Sequence, residues 1–342
     1  MPGGQLIDSG AIFAPLAEFR RIGLAVSGGP DSLALLLLAA EFAKAHGTPE
    51  RFIVYSVDHG LRPEAAGEVA YVTEAARKLG FEARALRWEG KKPATGIQQA
   101  ARAARYGLIA AAMKTDRAEI LLTAHHLADQ AETVLMRLAH GSGIEGLRGM
   151  DYFAEIDGLV VVRPLLGVDP AELAKIVAAS DLVPVIDPSN SDTDYERVRW
   201  RQMLPQLAAL GLDARRLSRL ADRMRDADQA LASMAASVET SVDPATGSQK
   251  LQYAAFSRLP RAVAVRLMAR LLGEVGGGQK PHDLAPIDQL TDKLRNSPAL
   301  KRTSLHGCLI ESDGVTIGVV PEPGRQAARQ SRVISGPPVT RN

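Results

Sequence analysis

Arg21 to Ser32 reads RIGLAVSGGPDS. A short apolar run of strand length gives way to two glycines and a proline. An acid and a hydroxyl then open a long helical pattern, Asp31 to His46. Working outward, the same two periods alternate. Arg51 to Val57, Glu82 to Trp88, Glu119 to Thr123 and Leu159 to Arg163 read as strands. Glu64 to Leu79, Gln98 to Lys114 and Ala128 to Leu138 read as the helices between them. Strands of four to seven residues separated by helices of ten or more predict a five-stranded parallel sheet with helices on both faces.

The 342 residues suggest two domains, and 46% hydrophobic residues can fill their cores. With 41 basic against 39 acidic residues, a uniformly basic nucleic-acid coat is excluded, though a local basic patch is not. Cys308 is the single cysteine. It excludes an intramolecular disulfide framework, a four-thiolate zinc site and a cysteine-ligated iron–sulfur cluster. The most apolar early run, Leu33 to Ala40, is too short to span a bilayer, and the N-terminus lacks the order of a signal peptide. A cytoplasmic protein without membrane contact is expected.

Ser27, Gly28, Gly29, Pro30, Asp31 and Ser32 form a turn between strand and helix. Two glycines let the backbone present its N–H groups, and the helix N-terminus favours anions. The loop lacks the lysine of a P-loop and the third glycine of a dinucleotide fold. Helix capping alone is the plainer reading.

After the fourth strand comes AHHLADQAET, Ala124 to Thr133. His125, Asp129 and Glu132, four and three apart, can share a helical face. Such a face can bind a metal, hold an amine or move a proton. Asp129 as N-cap with Glu132 at the third helical position is the structural alternative. In a sheet of order 3-2-1-4-5, strands one and four are neighbours, so both motifs meet at the switch point. Asp58 and His59 follow strand two, where adenine or ribose contacts are expected. Arg102 and Arg105 share a face of the third helix, placed to clamp phosphates or to remain a solvated pair.

SGGPDS at Ser27 to Ser32 resembles the phosphate loop of the N-type ATP pyrophosphatases, the PP-loop superfamily. VDHGLR (Val57 to Arg62), ARAARY (Ala101 to Tyr106), AHHLADQAET and RPLL (Arg163 to Leu166) follow in order. The series ends with DPSNSDTDYERVRWRQMLPQL (Asp187 to Leu207). Together they resemble the tRNA(Ile)-lysidine synthetases over residues 20 to 210. The resemblance implies an adenine nucleotide alpha hydrolase-like, Rossmann-like fold plus a mainly helical second domain. It implies a ligase that adenylates C2 of cytidine 34 in the CAU anticodon of tRNA(Ile), with ATP as cosubstrate. Free L-lysine then displaces AMP through its ε-amine.

By the same resemblance, Ser27 to Ser32, Asp58, His59, Arg102 and Arg105 hold ATP, and Asp31 takes Mg²⁺. Asp31, Arg105, His125, Asp129 and Glu132 are catalytic: Arg105 steadies charge at the α-phosphate, and the two acids attract the lysine ammonium. Glu196 to Arg225 carries eight arginines against three acids. Arg197, Arg199 and Arg201 within it are expected to contact tRNA phosphates.

Two positions depart from the family pattern: Ala128 replaces an Asp and Val198 an Asn. Altered packing rather than lost activity is expected. The boundaries read as 1–211 for the catalytic domain, 212–322 for a tRNA-binding domain ending in a β-hairpin over Ser304 to Val320, and 323–342 for a frayed tail. Gly141 to Gly149 reads either as a gate or as a long connection. A homodimer through the second domain is left open. A thiolating relative and a non-catalytic RNA-binding protein are the rival readings; the first is disfavoured by the lone Cys308.

Overall fold

A computed structural model describes residues 7–93, 95–186, 192–277 and 285–323. The Asp187–Asn190 turn and the tail beyond residue 323 lie outside the described residues.

In the first unit, residues 1–225, the elements run α1 (Ser9–Phe13), β1 (Ile22–Ala25), α2 (Pro30–His46), β2 (Phe52–Asp58), α3 (Ala65–Lys78) and β3 (Glu82–Arg87). They continue with α4 (Ile97–Asp116), β4 (Ile120–Leu122), α5 (Leu127–Ala139), α6 (Ile144–Leu147), β5 (Phe153–Ile156), β6 (Leu159–Val162), α7 (Pro170–Ala178) and α8 (Glu196–Ala209). Strand order is β3-β2-β1-β4-β6-β5. The five expected strands are parallel in the expected order, and the edge strand β5 adds a sixth, antiparallel to β6. Its source is a two-residue turn, Asp157-Gly158, with φ of 51° and 78°. Paired positive φ values match the right-handed strand twist.

Side chains alternate across the sheet. Ile22, Leu24, Phe52, Val54, Ile120 and Leu122 face one core with α2 and α7; Ile53, Tyr55, Leu121 and Val161 face another with Tyr106, Ile109 and Met113 of α4. Burial on both faces explains why these strands read as apolar runs. Gly23 in β1 is dictated by space: a Cβ there would lie 2.8 Å from the Tyr55 ring.

The helix α9 (Ala214–Ala236) follows, and the division between the two units falls between Arg225 and Asp226, inside it. The composition break at Leu212 marks a turn between helices. Leu217 and Ala221 beyond it pack with Ala131, Val134 and Leu135 of α5, so the first half of α9 belongs to the first unit.

The second unit contains β7 (Ser241–Val242), β8 (Gln249–Gln252), α10 (Tyr253–Ser257), α11 (Arg261–Gly276), α12 (Ala285–Asn296), β9 (Ala299–Leu305), β10 (Cys308–Asp313) and β11 (Thr316–Pro321). The expected hairpin is β10 with β11, built into a five-stranded antiparallel sheet, β7-β8-β11-β10-β9. Cys308 is fully buried against α11 residues in the core of this unit. No helix among the described residues is long and apolar enough to cross a membrane.

Candidate active site

β1 and β4 pair directly, Leu24 opposite Leu122, and the chain leaves both at the same end of the sheet. The loop after β1 is shaped by Gly28, whose φ of 90° an L side chain rarely adopts. A Cβ there would also meet Val185 at 3.0 Å. Gly29 caps α2 in extended conformation, and Pro30 occupies the first turn, where its missing N–H costs nothing. The Ser32 hydroxyl donates to Gly29 O at 2.9 Å and accepts from Ser27 N at 3.2 Å, fastening the loop across its mouth. The first N–H groups of α2 have no partner within the helix and face whatever anion the loop receives. Asp31 stands among them with its carboxylate 40% exposed.

The loop after β4 enters α5 through a capping box one turn earlier than the sequence suggested. His126, not Asp129, is the N-cap, because the chain stays extended through it (φ −126°, ψ −174°). Its Nδ1 accepts from the N–H groups of Ala128 (3.2 Å) and Asp129 (3.4 Å), and Asp129 Oδ2 accepts from His126 N at 3.0 Å. The ring proton therefore sits on Nε2, which lies 3.4 Å from Asp31 Oδ2 and 3.5 Å from Asp129 Oδ2. His126 joins the two motifs. The adjacent pair His125-His126 is the signal for it in the sequence, although the spacing to Asp129 and Glu132 singles out His125.

Burial lowers the pKa of the His126 ring, but Asp31 and Asp129 outweigh it and the net direction is upward. A proton on Nδ1 would face two N–H donors, so the cap opposes that pull. Asp129 sits below the usual carboxylate range: burial raises it, and His126, whose backbone N–H it also accepts from, together with Arg197 more than compensates. His125 is the reverse case. Its Nδ1 lies 2.8 Å from Thr123 Oγ1, and burial, helped by Arg163, Arg197 and Arg102, pushes its pKa down to about 4. It is neutral at physiological pH.

Glu132 is fully buried and has two arginines from α8. Arg201 Nε donates to Glu132 Oε1 at 2.7 Å, and Arg197 Nε lies 3.0 Å from Oε2. Arg201 also reaches Asp129 Oδ1 at 3.4 Å. Arg199 faces elsewhere, donating to the carbonyls of Thr193 (2.8 Å) and Asp194 (3.0 Å). Residues expected to serve lysine and residues expected to serve RNA thus meet in one ion cluster. The departures are accommodated: Val198 is buried in α8, and Ala128 supplies its N–H to the cap.

On α4, Arg102 and Arg105 sit 5.0 and 5.3 Å from the centre of the Tyr106 ring. Among the described residues neither pairs with a carboxylate, and burial lowers the Arg105 pKa. Arg163 was legible only as part of RPLL. It is buried, donates to Asp151 O at 2.6 Å and leaves Nε without a hydrogen-bond partner among the described residues. Asp58 is buried too, accepting from Gly60 N at 2.7 Å with Arg87 3.5 Å away. Beside it a cavity of about 320 Å³ is lined by Gly60, Arg87, Trp88 and Lys92 among others.

Among the described residues no three His, Cys, Asp or Glu side chains form a metal-binding group. Magnesium does not require one: it keeps several waters and binds through one or two carboxylates plus substrate phosphates. The half-exposed Asp31 at the phosphate loop fits that pattern.

A model of the PP-loop domain matches residues 6–207. A tRNA(Ile)-lysidine synthase from Rhodopseudomonas palustris is 44% identical over 328 residues, covering 92% of this chain and 94% of the relative. The chain belongs to the tRNA(Ile)-lysidine synthase family. A second member, from Methylobacterium nodulans, is 44% identical over 315 residues, with 89% and 91% covered. Among solved structures, a U34-tRNA thiolase from Methanococcus maripaludis with a [4Fe-4S] cluster superposes with a TM-score of 0.53 at 15% identity. It covers 64% of this chain and 78% of the thiolase, a likeness of fold alone. Family membership makes this chain an ATP-dependent ligase, with its ATP-binding domain in the first unit.

Proposed function

We propose that this protein is the lysine ligase of its family, acting on cytidine 34 of the CAU anticodon of tRNA(Ile). The observation that carries the reading is the meeting of the phosphate loop and the α5 acids across β1 and β4, with His126 3.4 Å from Asp31. Family membership over nearly the whole chain supports the specific substrate.

Cytosine C2 is a poor electrophile and its oxygen a poor leaving group, so an adenylate must be made first. The backbone N–H groups of Gly29, Asp31 and Ser32 and the Ser27 hydroxyl hold the phosphates of ATP, while the Ser32 hydroxyl, committed to Gly29 O, braces the loop. Asp58, His59 and the adjoining cavity receive the adenosine end. Asp31 would hold Mg²⁺, which would supply neutralising charge for the departing pyrophosphate. Arg105, half-buried and with no carboxylate partner among the described residues, stabilises charge at the α-phosphate, with Arg102 beside it. The oxygen on C2 attacks that phosphorus, pyrophosphate leaves, and the adenylated cytidine results.

Lysine arrives as an ammonium and must shed a proton to become a nucleophile. Asp129 offers its carboxylate, and Glu132 adds charge to the same acidic pole while anchoring Arg197 and Arg201. The neutral His125 ring can accept a hydrogen bond from the amine. A C–N bond forms at C2 as the C–O bond to AMP breaks. Arg197, Arg199 and Arg201 engage tRNA phosphates for position, and the anticodon base enters the pocket unstacked.

Thiolation would require sulfur carriers, and Cys308 is buried in the core of the second unit. A purely RNA-binding role leaves the Asp31 and Arg105 arrangement without purpose. The test is pyrophosphate release from ATP with and without unmodified tRNA(Ile) bearing CAU, lysine being absent. Release that requires this tRNA is expected; ATP turnover indifferent to it would overturn the reading.

A further inference from the structure

His126 carries out two jobs with its two ring nitrogens. Nδ1 is committed to the helix, accepting from Ala128 N and Asp129 N. That commitment leaves the ring proton on Nε2, which lies 3.4 Å from Asp31 Oδ2 and 3.5 Å from Asp129 Oδ2, ion-pair contacts to both carboxylates. The ring is only 5% exposed, so water does not compete for this proton. One carboxylate belongs to the phosphate loop on α2 and the other to the first turn of α5. Without a donor between them, these two anions would repel each other across the site.

We propose that His126 is a positioning residue for the adenylation step, holding the Asp31 carboxylate at a set distance from the α5 acids through its Nε2–H. It touches neither nucleotide nor lysine in this role. The inference rests on the function proposed above, and it adds a residue to which that reading assigned no part. Asp31 is the residue that faces the phosphates, and it keeps 40% of its side chain open to them. His126 therefore restrains its inner oxygen and leaves the rest available. Misplacing a group by about 1 Å can cost about 100-fold in rate, so the expected effect falls on turnover.

Two substitutions separate the two nitrogens. In His126→Asn the amide oxygen replaces Nδ1, and Asn is among the best N-caps, but nothing reaches Asp31. In His126→Gln the amide nitrogen falls near Nε2 and can donate to Asp31, while the cap is weakened. Thermal melting reads the cap: Asn should melt within about 2 °C of wild type, and Gln about 2–4 °C lower. Pyrophosphate release with tRNA and saturating ATP reads the bridge. The more stable Asn variant should turn over at least about tenfold slower, with KM for lysine within about twofold; the less stable Gln variant should stay within about threefold of wild type.

That inversion of stability and activity is what a merely structural histidine cannot produce. Activity that follows melting temperature across the three proteins overturns the proposal, as does full turnover in the Asn variant. Wild-type protein that releases no pyrophosphate contradicts the function itself, a failure distinct from that of His126.

Discussion

Arg201 Nε meets Glu132 Oε1 at 2.7 Å, and the carboxylate it meets is wholly out of solvent. The two arginine side chains that cover it are 39% and 46% exposed, with Arg197 completing the pair at 3.0 Å. A buried charge with half-exposed partners binds α8 to α5 and keeps both arginines beside the site. Truncating a partner leaves the carboxylate uncompensated, a cost of about 3–5 kcal/mol where the pair is fully buried.

Removing Arg201 should therefore destabilise the first unit, though by less than that range, because Arg197 remains and solvent screens the exposed guanidiniums. About 1–2 kcal/mol is expected for Arg201→Ala, read from the midpoint of urea unfolding. Glu132→Ala should cost more than Arg201→Ala, since it leaves two cations without their shared anion. An unchanged midpoint in both variants would show that the cluster contributes nothing to the fold.

Arg105 should behave in the opposite way. It is half-buried with no carboxylate among the described residues, and burial already lowers its pKa. Arg105→Gln should leave the melting temperature unchanged or raise it, while pyrophosphate release drops about 100-fold or more. A variant that melts lower and keeps its activity would assign Arg105 to packing.

Acid should act on His125. Its folded pKa of about 4 lies below the ordinary 6.5, so the unfolded chain binds the proton more tightly. Stability from this group is complete above pH 6.5 and is lost as pH falls toward 4, on the order of 3 kcal/mol in all. Asp129, also held low, adds its own loss at more acid pH, below about 3.8. Melting followed from pH 7.5 to 4.5 should fall less steeply in His125→Asn than in wild type. Parallel curves would mean that His125 is not buried in the neutral form.

Gln130 should anchor the glycine-rich loop. The amide receives Met150 N at 2.7 Å and donates to Met150 O at 3.1 Å. Arg137 holds the carbonyls of Gly146 and Gly149 in the same segment. Gln130→Ala removes two part-buried hydrogen bonds, about 2 kcal/mol together, and hydrogen exchange over 141–150 should quicken. Unaltered exchange there would show that Arg137 suffices.

Much of this arrangement was legible from periodicity. Apolar runs at Ile22 and Ile120 became the two central strands because burial on both faces leaves no polar alternation to hide them. The strand order then brought SGGPDS and the α5 motif to one end of the sheet. What escaped was set by contacts remote in sequence. Nothing in the spacing of Arg197, Arg199 and Arg201 reveals that two of them turn inward to Glu132 while the third caps carbonyls. The His126 cap was hidden because Asp129 with Glu132 offers an equally good capping pattern one turn later. β5 was missed although Asp157-Gly158 is a strong hairpin signal, since its flanking residues alternate too weakly to read as a strand. Gly141 to Gly149 reads by composition either as a gate or as a long connection; Arg137 holds its Gly146 and Gly149 carbonyls to α5, and Gln130 holds the adjoining Met150.

The most direct measurement is mass analysis of nucleosides from tRNA(Ile) bearing CAU, incubated with the protein, ATP, Mg²⁺ and isotopically labelled lysine. Cytidine 34 should gain the mass of the labelled lysine less one water, and only when ATP is present. An unaltered cytidine 34 from folded protein, while a known lysidine synthase converts the same tRNA in parallel, would contradict the assignment.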